Sequence, residues 1–211
     1  MPDAHVEWQQ LLKDGMRHVQ QRILEEEAEV RSFRVFQTMI VPGLVQTPEY
    51  ARVCLSHSEP LFGPRHDVDE TVRIRMRRQE MLHKPDRQVH LVILESALRL
   101  RLCERDVMLG QLDRLLAVET LPSVTLGVIG FNARYGAAFP KHGFSLLDDD
   151  HVNVETFSTE LTITQPREIE LYGKIFDSLA GIASYGDAAR RIIQRAIDDL
   201  SAEVEEDPPT G

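Results

Sequence analysis

The sequence predicts an α+β fold, a mixed β-sheet flanked by helices with helical N- and C-terminal segments, and three observations carry that prediction. Residues 89–94 and 124–129 are apolar runs broken only by His90, Thr125 and Gly127, the texture of strands buried on both faces. The stretch between them repeats leucines at helical spacing, so a parallel strand-helix-strand unit is the economical connection. Further on, Phe144-Ser145-Leu146-Leu147 and residues 152–157 flank Asp148-Asp149-Asp150, which reads as an antiparallel hairpin closed by an acidic turn.

The elements follow in order. Trp8, Leu11, Leu12, Gly15, Met16, Val19, Ile23 and Leu24 recur every three or four residues, one stripe of a single helix that ends at Glu25-Glu26-Glu27. Residues 31–41 are rich in β-formers and stop at Pro42-Gly43, so a strand and a tight loop are expected. Thr47-Pro48-Glu49 is a helix start: Thr can cap, Pro suits the first helical position, and an acid complements the positive dipole end. After a Pro- and Gly-marked linker at 59–64, Asp67 or Asp69 opens a longer helix carrying Val68, Val72, Met76 and Leu82, closing before Pro85. A strand at 88–94 is followed by a helix with Leu109, Leu112, Leu115, Leu116 and Val118, which Leu121-Pro122 breaks ahead of the next strand. Leu161-Thr162-Ile163 adds a short edge strand to the hairpin. From Pro166 a helix presents Ile169, Tyr172, Ile175, Phe176 and Leu179, and beyond Gly186 another presents Ala188, Ile192, Ile193, Ala196, Ile197 and Leu200. Residues 1–200 are expected to form one domain and the acidic, proline-bearing 201–211 a disordered tail. The long apolar stripes of the last two helices make a homodimer an open expectation.

Charge narrows the functions. With 24 Lys and Arg against 34 Asp and Glu the formal charge is −10, so a phosphate backbone would be repelled and direct DNA binding is not expected. The two cysteines, Cys54 and Cys103, form no C-x-x-C and read as buried free thiols of a reducing compartment. Neither a leader at residues 1–7 nor an apolar run of membrane-spanning length is evident, so a cytoplasmic location without membrane attachment is expected.

The sequence carries no H-x-x-x-H, H-E-x-x-H, G-x-S-x-G, P-loop or G-x-G-x-x-G, so no metal and no cofactor is expected. Four arginines, Arg73, Arg75, Arg77 and Arg78, make a basic run suited to phosphate or an acidic surface, against the plainer reading of a solvated helix paired to Asp67, Asp69, Glu70 and Glu80. Glu95 and Arg99, four apart beyond a buried strand, would either grip a polar ligand or form a structural ion pair. The loop at 132–142 brings Tyr135, Lys141 and His142 toward the hairpin, where His142 and Glu155 would serve as acid and base beside Tyr135 if the chain is an enzyme.

One stretch is distinctive. Met39-Ile40-Val41-Pro42-Gly43-Leu44-Val45-Gln46-Thr47-Pro48-Glu49-Tyr50-Ala51-Arg52 resembles the signature of the uncharacterised C-terminal domain, of DUF5753 type, found in actinobacterial XRE-type helix-turn-helix antitoxin regulators. The likeness continues in order through Arg77-Arg78-Gln79, Val92-Ile93-Leu94-Glu95-Ser96-Ala97-Leu98-Arg99, Leu121-Pro122-Ser123-Val124-Thr125-Leu126, Gly143-Phe144-Ser145-Leu146-Leu147, Val154-Glu155-Thr156 and the helix from Ile169. In those regulators the domain follows a DNA-binding half, which is expected to be missing here because seven residues precede Trp8. The resemblance therefore implies a stand-alone regulatory domain that binds a small molecule or a small partner protein, with Gln46, Tyr50, Arg52, Glu95, Arg99 and Glu155 around the site. The alternative is a small cofactor-independent biosynthetic enzyme recruited from the same family.

Overall fold

The computed structural model describes residues 4–57 and 67–202. Seven strands among them form one mixed sheet in the order β1-β7-β6-β5-β2-β3-β4. In chain order these are β1 (Ala4–Glu7), β2 (Ser32–Gln37), β3 (Gln88–Leu94), β4 (Val124–Ile129), β5 (Phe144–Leu147), β6 (His151–Glu155) and β7 (Thr159–Ile163). Strands β2, β3 and β4 run parallel in the register Val35↔Leu91 and Leu91↔Leu126, whereas β5, β6, β7 and β1 add on antiparallel. The expected α+β class and its parallel-plus-hairpin sheet are what the chain adopts. Among the described residues eight α-helices cover it: α1 (Trp8–Leu11), α2 (Met16–Glu27), α3 (Pro48–Ser56), α4 (Val68–Arg78), α5 (Ser96–Arg99), α6 (Arg105–Val118), α7 (Pro166–Ala180) and α8 (Asp187–Ala202). None of these helices is long and apolar enough to cross a membrane.

Because side chains alternate along a strand, β2 and β3 feed two cores. Phe33, Val35, Leu91, Ile93, Leu126 and Val128 pack beneath α6, α8 and Tyr50 of α3. Phe36, Val92, Phe144, Leu146, Val152 and Val154 pack on the other face beneath Ile169, Phe176 and Leu179 of α7. The apolar stripes of α7 and α8 are thus covered within the chain. Toward β5 and β6 the first face turns polar, since Ser145, paired with Asn153, and Glu155, paired with Glu160, point where an apolar layer would continue. Above this polar half lie α2 and α4, joined through a small cluster of Ala51, Leu55, Val72, Met16 and Met76.

Three local features depart from expectation. The single N-terminal helix is instead a strand, a four-residue helix and a longer helix. Gly15 makes the break: its φ of +97° is accessible to glycine, and a Cβ there would meet Asp67 Oδ2 at 2.6 Å. That carboxylate accepts from the Arg17 amide at 2.8 Å, so a residue at the head of α4 caps α2. The strand at 159–163 is not an edge, because β1 pairs along it from Ala4↔Thr162 to Glu7↔Thr159. Elsewhere local chemistry matches. Thr47 Oγ1 accepts from the Tyr50 amide at 3.2 Å and Pro48 opens α3. Asp148 and Asp149 adopt the left-handed conformation that closes the hairpin. Ser201 and Ala202 continue α8 rather than beginning a tail, while 203–211 and the linker at 59–64 lie outside the described residues.

Candidate functional site

A cleft lies between the α2–α4 layer and the polar half of the sheet, and one wall is the loop at 41–47. Buried polar side chains hold that loop by its backbone. Gln46 Nε2 donates to Val41 O at 2.8 Å. The Gln79 amide donates to Gly43 O at 3.2 Å and Gln46 O at 2.7 Å, while Gln111 donates to Val45 O at 3.0 Å and accepts from the Thr47 amide at 2.8 Å. Tyr50 Oη accepts from the Val41 amide at 3.4 Å. A buried loop carries backbone groups that need partners, and these side chains supply them.

The arginine run divides at this wall. Arg73 and Arg77 are exposed, as the solvated reading expects, but Arg78 is buried and Arg75 half-buried, which corrects that reading for the latter two. Arg78 meets Glu27 with a bidentate pair of 3.0 and 2.7 Å, the strong geometry for guanidinium and carboxylate. Arg75 is held differently: its Nη1 donates to Gln46 Oε1 at 2.7 Å and its Nε to Gln20 Oε1 at 3.2 Å. Both acceptors are neutral and buried, and among the described residues no carboxylate lies within 4 Å of Arg75. Desolvation, and then the charge of Arg78, lowers the Arg75 guanidinium to about 10, so it keeps its proton at neutral pH.

Glu155 faces Arg75 from the end of β6. It opens to solvent through the cleft yet is ringed by protein. The resulting desolvation raises its carboxyl above the usual range, as does Glu160, while Arg75 and Arg78 pull the other way. Among the described residues Glu155 likewise has no ion-pair partner within 4 Å, whereas Glu160 is paired to Arg22 at 2.8 Å. Three spaces share Glu155 in their walls. A narrow one of about 140 Å³ holds Arg75, Arg78, Gln46 and Asn153, whose Oδ1 is buried without a hydrogen bond. A lobe of about 360 Å³ is lined by Leu12, Met16, Val19, Ile23 and Leu55. Another of about 540 Å³ is lined by Met39, Ile40, His142 and Phe157.

The family described as a domain of unknown function (DUF5753) matches residues 20–195. The chain belongs to this DUF5753 family. No curated protein matches it. Among solved structures, NucT from Helicobacter pylori is similar in fold at 11% identity and a TM-score of 0.47, over 87% of this chain and 98% of that one. A phospholipase D family member, Nuc from Salmonella typhimurium, is 10% identical with a TM-score of 0.45 over 87% and 97%. TrmBL2, an archaeal chromatin protein, is 10% identical with a TM-score of 0.41 over 88% of this chain and 54% of that one. None of these likenesses bears on chemistry at such identities.

The DUF5753 chain distributes its sequence-predicted residues unevenly. Gln46 and Glu155 line the cleft, and Tyr50 stands behind Gln46 with its hydroxyl pushed upward by burial. Arg52 is exposed and pairs with Asp69. Glu95 and Arg99 lie elsewhere, beyond the end of β3. Glu95 accepts from Arg99 Nε at 2.9 Å and from the Phe131 amide at 3.0 Å, and Arg99 also pairs with Asp199 of α8 at 2.8 Å. His142 shares the 540 Å³ lobe with Glu155, with its Nδ1 3.0 Å from Gly143 O and its Nε2 3.3 Å from Tyr172 Oη. Tyr135 is exposed on the irregular loop and does not line that lobe. Cys54 and Cys103 are free but only partly buried; burial raises the Cys54 thiol to about 11, which makes it a poor nucleophile. No group of three or more His, Cys, Asp or Glu suited to a metal occurs among the described residues. Sequence reasoning missed Gln20 and Asn153, and it weighed Arg75 only as one of four arginines on a helix read as solvated. The spacing of the arginine run contained a signal for Arg75 and Arg78, which are three apart and share a helix face.

Proposed function

We propose that this chain is a regulatory binding module whose ligand or partner enters the Arg75–Glu155 cleft with an anionic group. The observation that carries this reading is Arg75 itself: a positive charge drawn out of bulk water, aimed by two buried glutamines, and with no carboxylate within 4 Å among the described residues. Protein interiors rarely leave a guanidinium in that condition unless something else supplies the counter-charge. The likeness to the effector half of actinobacterial regulators supports the regulatory character, and the −10 charge supports recognition of something other than nucleic acid. Calorimetric titration with carboxylate and phosphate compounds tests it. Micromolar binding to the wild type, reduced at least tenfold in Arg75→Gln with the fold retained, is the expected result. Equal binding by both proteins overturns it.

A second reading, a cofactor-independent enzyme, draws support from one observation, the shared lobe of His142 and Glu155. It requires that His142→Gln and Glu155→Gln each lower a measured turnover by about a hundredfold or more, the usual scale of an acid–base group. Unchanged turnover in both removes it.

A further inference from the structure

We infer that the ligand is a zwitterion with a large apolar body, in its simplest form a free α-amino acid with an aromatic or long aliphatic side chain. This rests on the reading of the cleft as an anion-accepting site and adds to it a second charge and a shape.

The charges in the cleft nearly all cancel in pairs. Arg78 is matched by Glu27, and Arg22 by Glu160 and Glu26, the last at 3.2 Å. Arg75 and Glu155 remain, opposite in sign and more than 4 Å apart, each without an ion pair among the described residues. They bound the same narrow space. An anion alone would satisfy Arg75 and bring like charge toward Glu155; a cation alone would do the reverse. A molecule carrying a carboxylate and an ammonium satisfies both, with the carboxylate on the guanidinium and the ammonium on Glu155. Asn153 Oδ1, buried and without a partner, is a further acceptor beside the ammonium position.

Shape supplies the apolar body. The 360 Å³ lobe that begins at this charge pair is walled by Leu12, Met16, Val19, Ile23 and Leu55, and among the described residues the Lys, Arg, Asp and Glu side chains lining it are Arg75 and Glu155. An apolar cavity of about 150 Å³ admits benzene, so this lobe has room for a phenyl, indole or branched aliphatic group. Burying such a group while two charges fix its orientation is the usual division of labour in small-molecule sites.

The test is calorimetric titration of the full chain at neutral pH with L-tryptophan, L-phenylalanine and L-leucine, beside glycine, N-acetyl-L-phenylalanine and L-phenylalanine amide. We expect at least one of the three large amino acids to bind. Glycine and both blocked forms should bind at least tenfold more weakly. Arg75→Gln and Glu155→Gln should each lose at least tenfold for the preferred amino acid, with circular dichroism confirming an unchanged fold. N-acetyl-L-phenylalanine binding as tightly as phenylalanine, still dependent on Arg75, would overturn the zwitterion and leave the anion site standing. Tight binding of the amide, or no binding by any of the carboxylates, would overturn both.

Discussion

Replacing Gln46 by leucine removes a side chain that is 1% exposed and joins two groups needing opposite partners. Its Nε2 is the donor to Val41 O, and its Oε1 is the acceptor for Arg75 Nη1. Leucine is close in size, so the change reports lost hydrogen bonding more than a cavity. An orphaned buried carbonyl costs about 1–3 kcal/mol, and a hydrogen bond to a charged donor contributes about 1.5–3 kcal/mol. Arg75 is only half-buried and water in the cleft can take over part of its bond, so we discount the second figure and expect a total loss of about 2–4 kcal/mol. For a chain of this length each kcal/mol moves Tm by roughly 2–4 °C, giving a drop of about 5–15 °C. Urea unfolding followed by circular dichroism, with Gln194→Leu as the exposed control, measures it; the control should stay within about 0.5 kcal/mol. A loss below about 1 kcal/mol at Gln46 with a normal m-value would refute the claim that this amide holds both the loop and the guanidinium.

Other outcomes follow from the same geometry. Phe176, 1% exposed and edge-on to His90 at 4.9 Å, anchors α7, so Phe176→Ala should lose about 3–5 kcal/mol in the same urea assay. Glu95→Ala should destabilise by about 1–3 kcal/mol, discounted because Arg99 is partly exposed and keeps Asp199, yet leave ligand affinity unchanged; a tenfold affinity loss would return Glu95 to the site. Because desolvation by the surrounding protein raises the Glu155 carboxyl although its side chain opens to the cleft, its neutral form is the one the fold favours. That favourable contribution is fully present below 4.5 and lost as pH rises through the folded value, so Glu155→Gln should be more thermostable than wild type at neutral pH, with the gap closing below 4.5. A gap that is constant with pH contradicts the assignment. Finally, the wild-type chain should not retard duplex DNA at physiological salt in a gel-shift assay.

The parts of the fold that were legible are those whose residues decide their own environment. The centres of β3 and β4, Leu91 to Ile93 and Leu126 to Ile129, are buried on both faces and so hold no charged or hydrogen-bonding side chain, and Thr47-Pro48 carries its cap within the motif. β1 was not legible because it is a largely exposed four-residue strand whose pairing is set by β7. The cleft was half-legible. Ser145, Asn153 and Glu155 alternate with Leu146, Val152 and Val154, a pattern that reads as one dry and one wet face. That a helical layer stands over the wet face depends on α2 and α4 meeting through Met16, Val72 and their neighbours, contacts made between distant segments. The arginine run behaves alike: spacing puts Arg75 and Arg78 together, but which side turns inward is decided by Gln20, Gln46 and Glu27.

The pinned loop beside Arg75 has a kinetic consequence. Four side chains fix residues 41–47 before any guest arrives, so little ordering remains for the protein to undergo and the entropic penalty falls on the incoming molecule. Stiffer guests with the same charge pattern should therefore stay longer, a difference seen in how fast they leave rather than how fast they enter.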